Sequence, residues 1–161
     1  MKKFIYILIF TLSLCLTNNS FSAGTSNTSS DSSYTKAYNL IKSAKKYEKK
    51  GKTEKAQKKY IKAQKLLLKS NKEKPLQADT LNYLGFTTRK IGNYKKGEEF
   101  YLQGLQIDPN HKGINEYLGE LYVVTNRIPL AKERLEVLKT CRCKEYIELK
   151  EVIDGTKKSK Y

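Results

Sequence analysis

Two thiols one residue apart, Cys141-Arg142-Cys143, are the sharpest chemical feature of the chain. Such a pair can close a disulfide, exchange with other thiols, or hold a soft metal ion. In an oxidising compartment the small ring of a disulfide would stiffen a turn, and this is the first reading. A redox-active pair is the second: Arg142 and Lys144 would favour a thiolate. The chain, however, has no CxxC and no thioredoxin-like strand pattern. A Cu(I) or Zn(II) site is the third, with two thiolates an incomplete ligand set. The one histidine, His111, lies far upstream, so no metal is expected.

No catalytic constellation accompanies the thiols. His111 follows Pro109-Asn110 and suits a loop or a helix start. The acidic residues fall at helical spacings and mostly beside Lys, which fits exposed pairs better than a carboxylate dyad. P-loop, GxGxxG and nucleophile-elbow patterns are absent. The expectation is a non-enzyme without a cofactor.

Charge supplies the other candidate chemistry. The 161 residues carry 32 Lys+Arg against 16 Asp+Glu, a net of +16. Residues 36–74 hold fifteen Lys and three Glu, a net of +12, and the remainder is nearly balanced. Lys55, Lys58, Lys59, Lys62, Lys65 and Lys69 recur at three- and four-residue steps beside the apolar series Ala56, Tyr60, Ala63 and Leu67, making a Lys stripe on one helix. With 28 Lys to 4 Arg, bidentate phosphate recognition is disfavoured. The stripe is either a solvated face or a docking surface for an anionic polymer or membrane; nucleic acid ranks behind an envelope surface.

The chain opens on Met1-Lys2-Lys3, an apolar run from Phe4 to Leu16, and a polar stretch ending Ser20-Phe21-Ser22-Ala23. That layout is a secretory signal peptide over 1–22, cleaved after Ser22. The run is too short for comfortable spanning, and an uncleaved anchor is the alternative. No later segment is apolar enough to cross a membrane. Residues 23–34, rich in Ser, Thr and Asn, suit a flexible tether, and 155–161 a basic tail. The expected setting is periplasmic, or else secreted.

What remains, 35–154, is governed by a period. Leu84 to Leu118, Gly85 to Gly119, Gly92 to Asn126, Gly97 to Ala131 and Tyr101 to Leu135 are each 34 residues apart. A weaker earlier unit, with Leu40, Ala44, Tyr47, Gly51, Ala56, Tyr60 and Ala63, is offset by 41, the surplus lying in Lys69–Pro75. Helical pairs are expected at 35–50 with 53–70, 78–91 with 94–107, and 112–125 with 128–141. Gly85 and Gly119 would admit a close partner, Tyr101 and Leu135 would fill the space, and Gly92 and Asn126 would turn the chain at positive φ. Tyr146, Ile147, Leu149, Val152 and Ile153 form the stripe of a further, capping helix.

Leu-Gly early, a small residue mid-unit, an aromatic four later and Pro at the end resemble the tetratricopeptide repeat, and in particular small exported bacterial members of that family. The resemblance implies an all-α, short right-handed α-solenoid of about three helix-turn-helix units plus the cap. It further implies a protein-interaction scaffold in the cell envelope, taking a peptide or partner helix in the concave groove lined by the first helix of each pair. Helical phase nominates Tyr38, Ile41 and Lys45 on the first pair, Asn82, Phe86 and Arg89 on the second, and Glu116, Glu120 and Val123 on the third. Phe86 is the candidate anchor if exposed, or a core residue if packed against the next repeat. The carboxylate clamp of chaperone-binding members is not recognisable: Gly113 and Tyr117 stand where a basic pair would be.

Overall fold

A computed structural model describes residues 32–159. The leader, residues 23–31 of the tether, and residues 160–161 lie outside the described residues.

Among the described residues seven α-helices follow one another: α1 Ser33–Lys49, α2 Thr53–Glu73, α3 Ala78–Lys90, α4 Tyr94–Ile107, α5 Lys112–Val124, α6 Ile128–Leu138 and α7 Lys144–Ile153. A 3₁₀ turn, Lys139–Cys141, closes α6. Local chemistry accounts for the starts. Ser32, Asn93 and His111 accept hydrogen bonds from the backbone N–H of Thr35, Lys96 and Ile114, so that side chains cap α1, α4 and α5. Pro129 sits in the first turn of α6, where its missing N–H is harmless. α1 starts at Ser33, two residues inside the expected tether.

Turns between paired helices fall at Gly51 (φ +68°), Gly92 (φ +95°) and Asn126 (φ +57°). Gly92 and Asn126 thus carry the left-handed backbone their types suit, one repeat apart. The seven extra residues lengthen α2, which runs 21 residues against 14 for α4, before Pro75 stops it.

α1 packs on α2, α2 on α3, and each later helix on its predecessor, while α7 lies across α5 and α6. The period sets this packing through small residues. A Cβ on Gly85 would stand 2.4 Å from the Tyr101 ring, and Tyr101 is wholly buried in that slot. In the third pair the equivalent slot over Gly119 is filled from α7: Leu149 would lie 2.5 Å from a Cβ there. Leu135, the expected filler, is half-buried. The cap is therefore seated by the repeat's own vacancy. Burying Leu149 contributes roughly 2 kcal/mol.

α3 is enclosed by neighbours, with nine of its thirteen residues buried. Polar ties cross between pairs. Glu48 on α1 accepts from Tyr60 Oη at 2.7 Å and pairs with Lys90 Nζ at 2.7 Å. Arg127, in the turn before α6, holds Glu98 of α4 through two bonds of 2.8 and 2.7 Å. No helix among the described residues is long and apolar enough to cross a membrane.

Candidate functional site

The first helices of the pairs, α1, α3 and α5, share one side of the stack, and α7 closes its end. Between them lies a cavity of about 700 Å³. Its first end carries Lys45, Glu48 and Lys49 from α1. The middle carries Asp79, Asn82, Tyr83 and Phe86 from α3. Its far end carries His111, Gly113, Glu116 and Tyr117, then Lys144, Glu145 and Glu148, with Lys157 from the segment after α7.

Aromatic rings make the floor. Tyr83 has Tyr38 at 5.5 Å and Tyr34 at 6.0 Å between ring centroids. Phe86 stands against Tyr117 at 5.2 Å and against Tyr60 at 5.7 Å. Lys45 Nζ lies 4.4 Å from the Phe86 centroid, within reach of a cation–π contact. Burial, then the nearby Tyr38 and Asp79, pushes the Tyr83 hydroxyl up to about 12. Burial first, and Glu116 next, likewise raises Tyr117. These phenols therefore stay protonated and can donate.

Asn82 is the polar centre of the groove. Its residue is only 5% exposed, and its Oδ1 has no hydrogen-bond partner among the described residues. Gly113 gives its amide room, since a Cβ there would stand 2.8 Å from Asn82 Nδ2. His111 closes the adjacent corner: Nδ1 accepts from Ile114 N at 3.1 Å, and Nε2 is 3.2 Å from Asp79 Oδ1.

Of the nominated residues, Lys45, Asn82, Phe86 and Glu116 line the cavity, and Tyr38 stands exposed at its edge against Tyr83. Others are placed differently. Ile41 is 1% exposed and belongs to the apolar core with Ala37 and Ala44; its face of α1 meets other helices rather than solvent. Phe86 is no exposed anchor: it is 1% exposed, wedged between Tyr60 and Tyr117. Arg89, 2% exposed, is absent from the cavity lining: its stem lies against Gly97 of α4 and its guanidinium donates to the Tyr117 carbonyl. Glu120 is wholly buried under Ser159, whose hydroxyl donates to it at 3.1 Å. Val123 packs on the core of the third pair. Sequence reasoning missed Tyr83 as a groove residue and met Tyr117 only as a replacement at a clamp position, although the two are 34 residues apart.

The Lys stripe lies on α2, with Lys55, Lys58, Lys62, Lys65 and Lys69 exposed and Lys59 half-buried. Lys58 pairs with Glu54 at 2.6 Å and Lys69 with Glu73 at 3.7 Å, both within the helix. Lys59 Nζ lies 5.5 Å over the Tyr47 ring. Tyr47 divides two shallow hollows, of about 340 Å³ beside Lys55, Lys58, Lys59 and Lys62 and about 190 Å³ beside Lys46 and Lys50. Cys141 and Cys143 are bonded to each other in the link from α6 to α7. No cluster of three or more His, Cys, Asp or Glu placed to hold a metal occurs among the described residues.

No family model matches the chain. A stretch of 50 residues is 44% identical to the Sol locus transcriptional repressor of Clostridium acetobutylicum, spanning 31% of this chain and 16% of that protein. The chain is also similar to a solved structure, the first tetratricopeptide-repeat domain of Spaghetti (RPAP3) bound to the HSP90 peptide SRMEEVD. The TM-score is 0.50 at 17% identity, over 76% of this chain and 94% of that one. Likeness at such identity speaks for the fold, and it agrees with three helix pairs packed through small residues at a 34-residue period: the chain has the tetratricopeptide-repeat fold, an α-solenoid.

Proposed function

We propose that the protein is a non-enzymatic interaction scaffold that takes a peptide or partner helix in the concave groove. The observation that carries this reading is Asn82: an amide oxygen buried in the lining of a cavity of about 700 Å³ without a hydrogen-bond partner among the described residues. A buried acceptor left unmatched is destabilising, and a backbone N–H of a ligand would satisfy it. The aromatic floor of Tyr83, Phe86 and Tyr117 offers apolar contact beside it. The solved neighbour was captured with a peptide bound, which supports the same use of the fold here. The setting we propose is the cell envelope, on the strength of residues 1–22. N-terminal sequencing of the mature protein should begin at Ala23; a start at Met1 or Lys2 would overturn cleavage.

The groove is tested by crosslinked pull-down from the native envelope with Asn82→Ala and Tyr83→Ser. Both should lose the partner that the wild type captures, with the helical CD signal unchanged. Undiminished capture by folded variants removes the groove reading.

A second reading rests on Tyr47, an aromatic set between two rows of lysines on the first hairpin. A ring flanked by ammonium groups suits the interface of an anionic bilayer. Co-sedimentation with phosphatidylglycerol-rich vesicles should fall steeply with salt and weaken in Tyr47→Ser; salt-insensitive or absent binding refutes it.

A further inference from the structure

The segment after α7 turns back onto the groove. Gly155, at φ +74°, reverses the chain, and Thr156 Oγ and Lys157 N both donate to the Glu151 carbonyl at 3.1 Å. Those bonds finish α7. The next contacts run back along the side of α7 and then across to α5. Lys157 Nζ lies 3.2 Å from Glu151 Oε2 and 3.9 Å from Glu148 Oε1, and it lines the groove cavity. Ser159 Oγ then donates to Glu120 Oε2 on α5 at 3.1 Å.

This end of the groove is acidic. Glu116 on α5 and Glu145 and Glu148 on α7 line it together with Lys144 and Lys157; Lys157 also reaches Glu151, and Glu120 on α5 lies under Ser159. The segment itself reads Thr-Lys-Lys-Ser-Lys-Tyr over 156–161. Hydroxyl and ammonium donors thus meet carboxylate acceptors, and hydrogen bonds to an ionised acceptor are the stronger kind.

We infer that the α5–α7 end of the groove is a docking site for a lysine-rich segment, filled in cis by residues 156–159 of this chain, so that a groove partner must present a basic segment there and displace residues 156–159. The inference rests on the groove reading and adds the partner's chemistry and direction: its basic end lies over α5 and α7, and the rest runs toward α1. A tethered segment acts at an effective concentration of order millimolar. Exposed ion pairs such as those of Lys157 are individually weak. Together these make a contact that forms readily and yields to a better-matched competitor.

The probe is a synthetic, dye-labelled peptide Gly-Thr-Lys-Lys-Ser-Lys-Tyr, followed by fluorescence anisotropy. A chain shortened after Gly155 should bind it, with affinity falling steeply as salt rises, and at least about tenfold more tightly than the intact chain does. Glu148→Gln with Glu151→Gln should abolish that binding, whereas Glu136→Gln, away from the groove, should not. Equal binding to both chains, or none to a shortened chain of unchanged CD and Tm, overturns the inference. Should the shortened chain fail to fold, the intact chain with Lys157→Ala and Ser159→Ala replaces it. That variant must bind more peptide than wild type, and binding no tighter overturns the inference equally. The two readings fail separately. A shortened chain that ignores the peptide yet captures its partner through Asn82 sinks only this inference. Capture that is insensitive to Asn82→Ala sinks the groove reading.

Discussion

Lys45 Nζ on α1 donates to Tyr117 Oη on α5 at 3.2 Å, joining residues 72 apart across the groove. The bond passes over Phe86 of the helix between them, so the first and third pairs meet directly on the concave face. Tyr117→Phe keeps the ring against Phe86 and removes the acceptor. It should lower stability by about 1 kcal/mol, read from the shift in denaturant midpoint at constant m-value. No shift would mean that the bond contributes nothing in solution.

Gly85→Ala places a methyl 2.4 Å from the Tyr101 ring, in a slot with no slack. Separation of α3 from α4 should cost about 1–3 kcal/mol in chemical denaturation, a penalty typical of overpacking. Gly51→Ala meets nothing within 4 Å, and its loss should come from positive φ alone, about 1 kcal/mol. If the two substitutions destabilise equally, close approach at Gly85 is not what fixes the residue.

Asn126 occupies at φ +57° the turn position that Gly92 holds at φ +95° one repeat earlier. Asn126→Gly should leave the protein unchanged or up to about 1 kcal/mol more stable, and Asn126→Ala should destabilise it by a similar amount. Thermal unfolding orders the three: Gly at or above Asn, and Asn above Ala. Any other order removes the left-handed backbone as the reason for Asn.

Buried phenols make the protein sensitive to alkali. Burial raises Tyr34, Tyr60 and Tyr117, and takes Tyr83 from 10.0 to about 12. A phenol with a raised folded pKa holds its proton longer in the native state, so its contribution is intact below pH 10 and is lost as pH climbs through the folded value. Tm should therefore be level below pH 10 and fall between 10 and about 12. Absorbance of tyrosinate should show a late-titrating fraction that shrinks in Tyr83→Phe. Uniform titration near 10 in a protein still helical by CD would contradict this.

Cys141 and Cys143 enclose Arg142, which sits at φ +47°. Cross-linking so short a loop limits the unfolded chain by about 1.5 kcal/mol in the chain-entropy account. Cys141→Ser with Cys143→Ser should shift the denaturant midpoint by that order while preserving groove binding. A loss of binding with stability intact would mark the pair as more than a clip for α7.

Helix order and pairing were legible because they repeat local chemistry. Leu84-Gly85, the turn at Gly92 and the aromatic Tyr101 each bind one helix to its neighbour within a few dozen residues, and the chain writes that unit again 34 residues later. The groove was less legible. Tyr83 and Tyr117 share the period, yet helical phase alone placed Ile41, Phe86 and Arg89 toward the ligand. α3 is covered on most of its circumference, so nearly every position on it is apolar or paired, and periodicity no longer tells the open side from the closed ones.

By itself, the sequence determined the all-helical repeat, the left-handed turns and the concentration of positive charge in the first hairpin, since each follows from residue type at close spacing. The tertiary structure alone decided that Leu149 rather than Leu135 fills the slot over Gly119, that Glu120 lies under Ser159, and that Lys45 reaches Tyr117. Those contacts join positions that no local rule couples. They come about only when stacking brings helices distant in the chain to van der Waals and hydrogen-bond range.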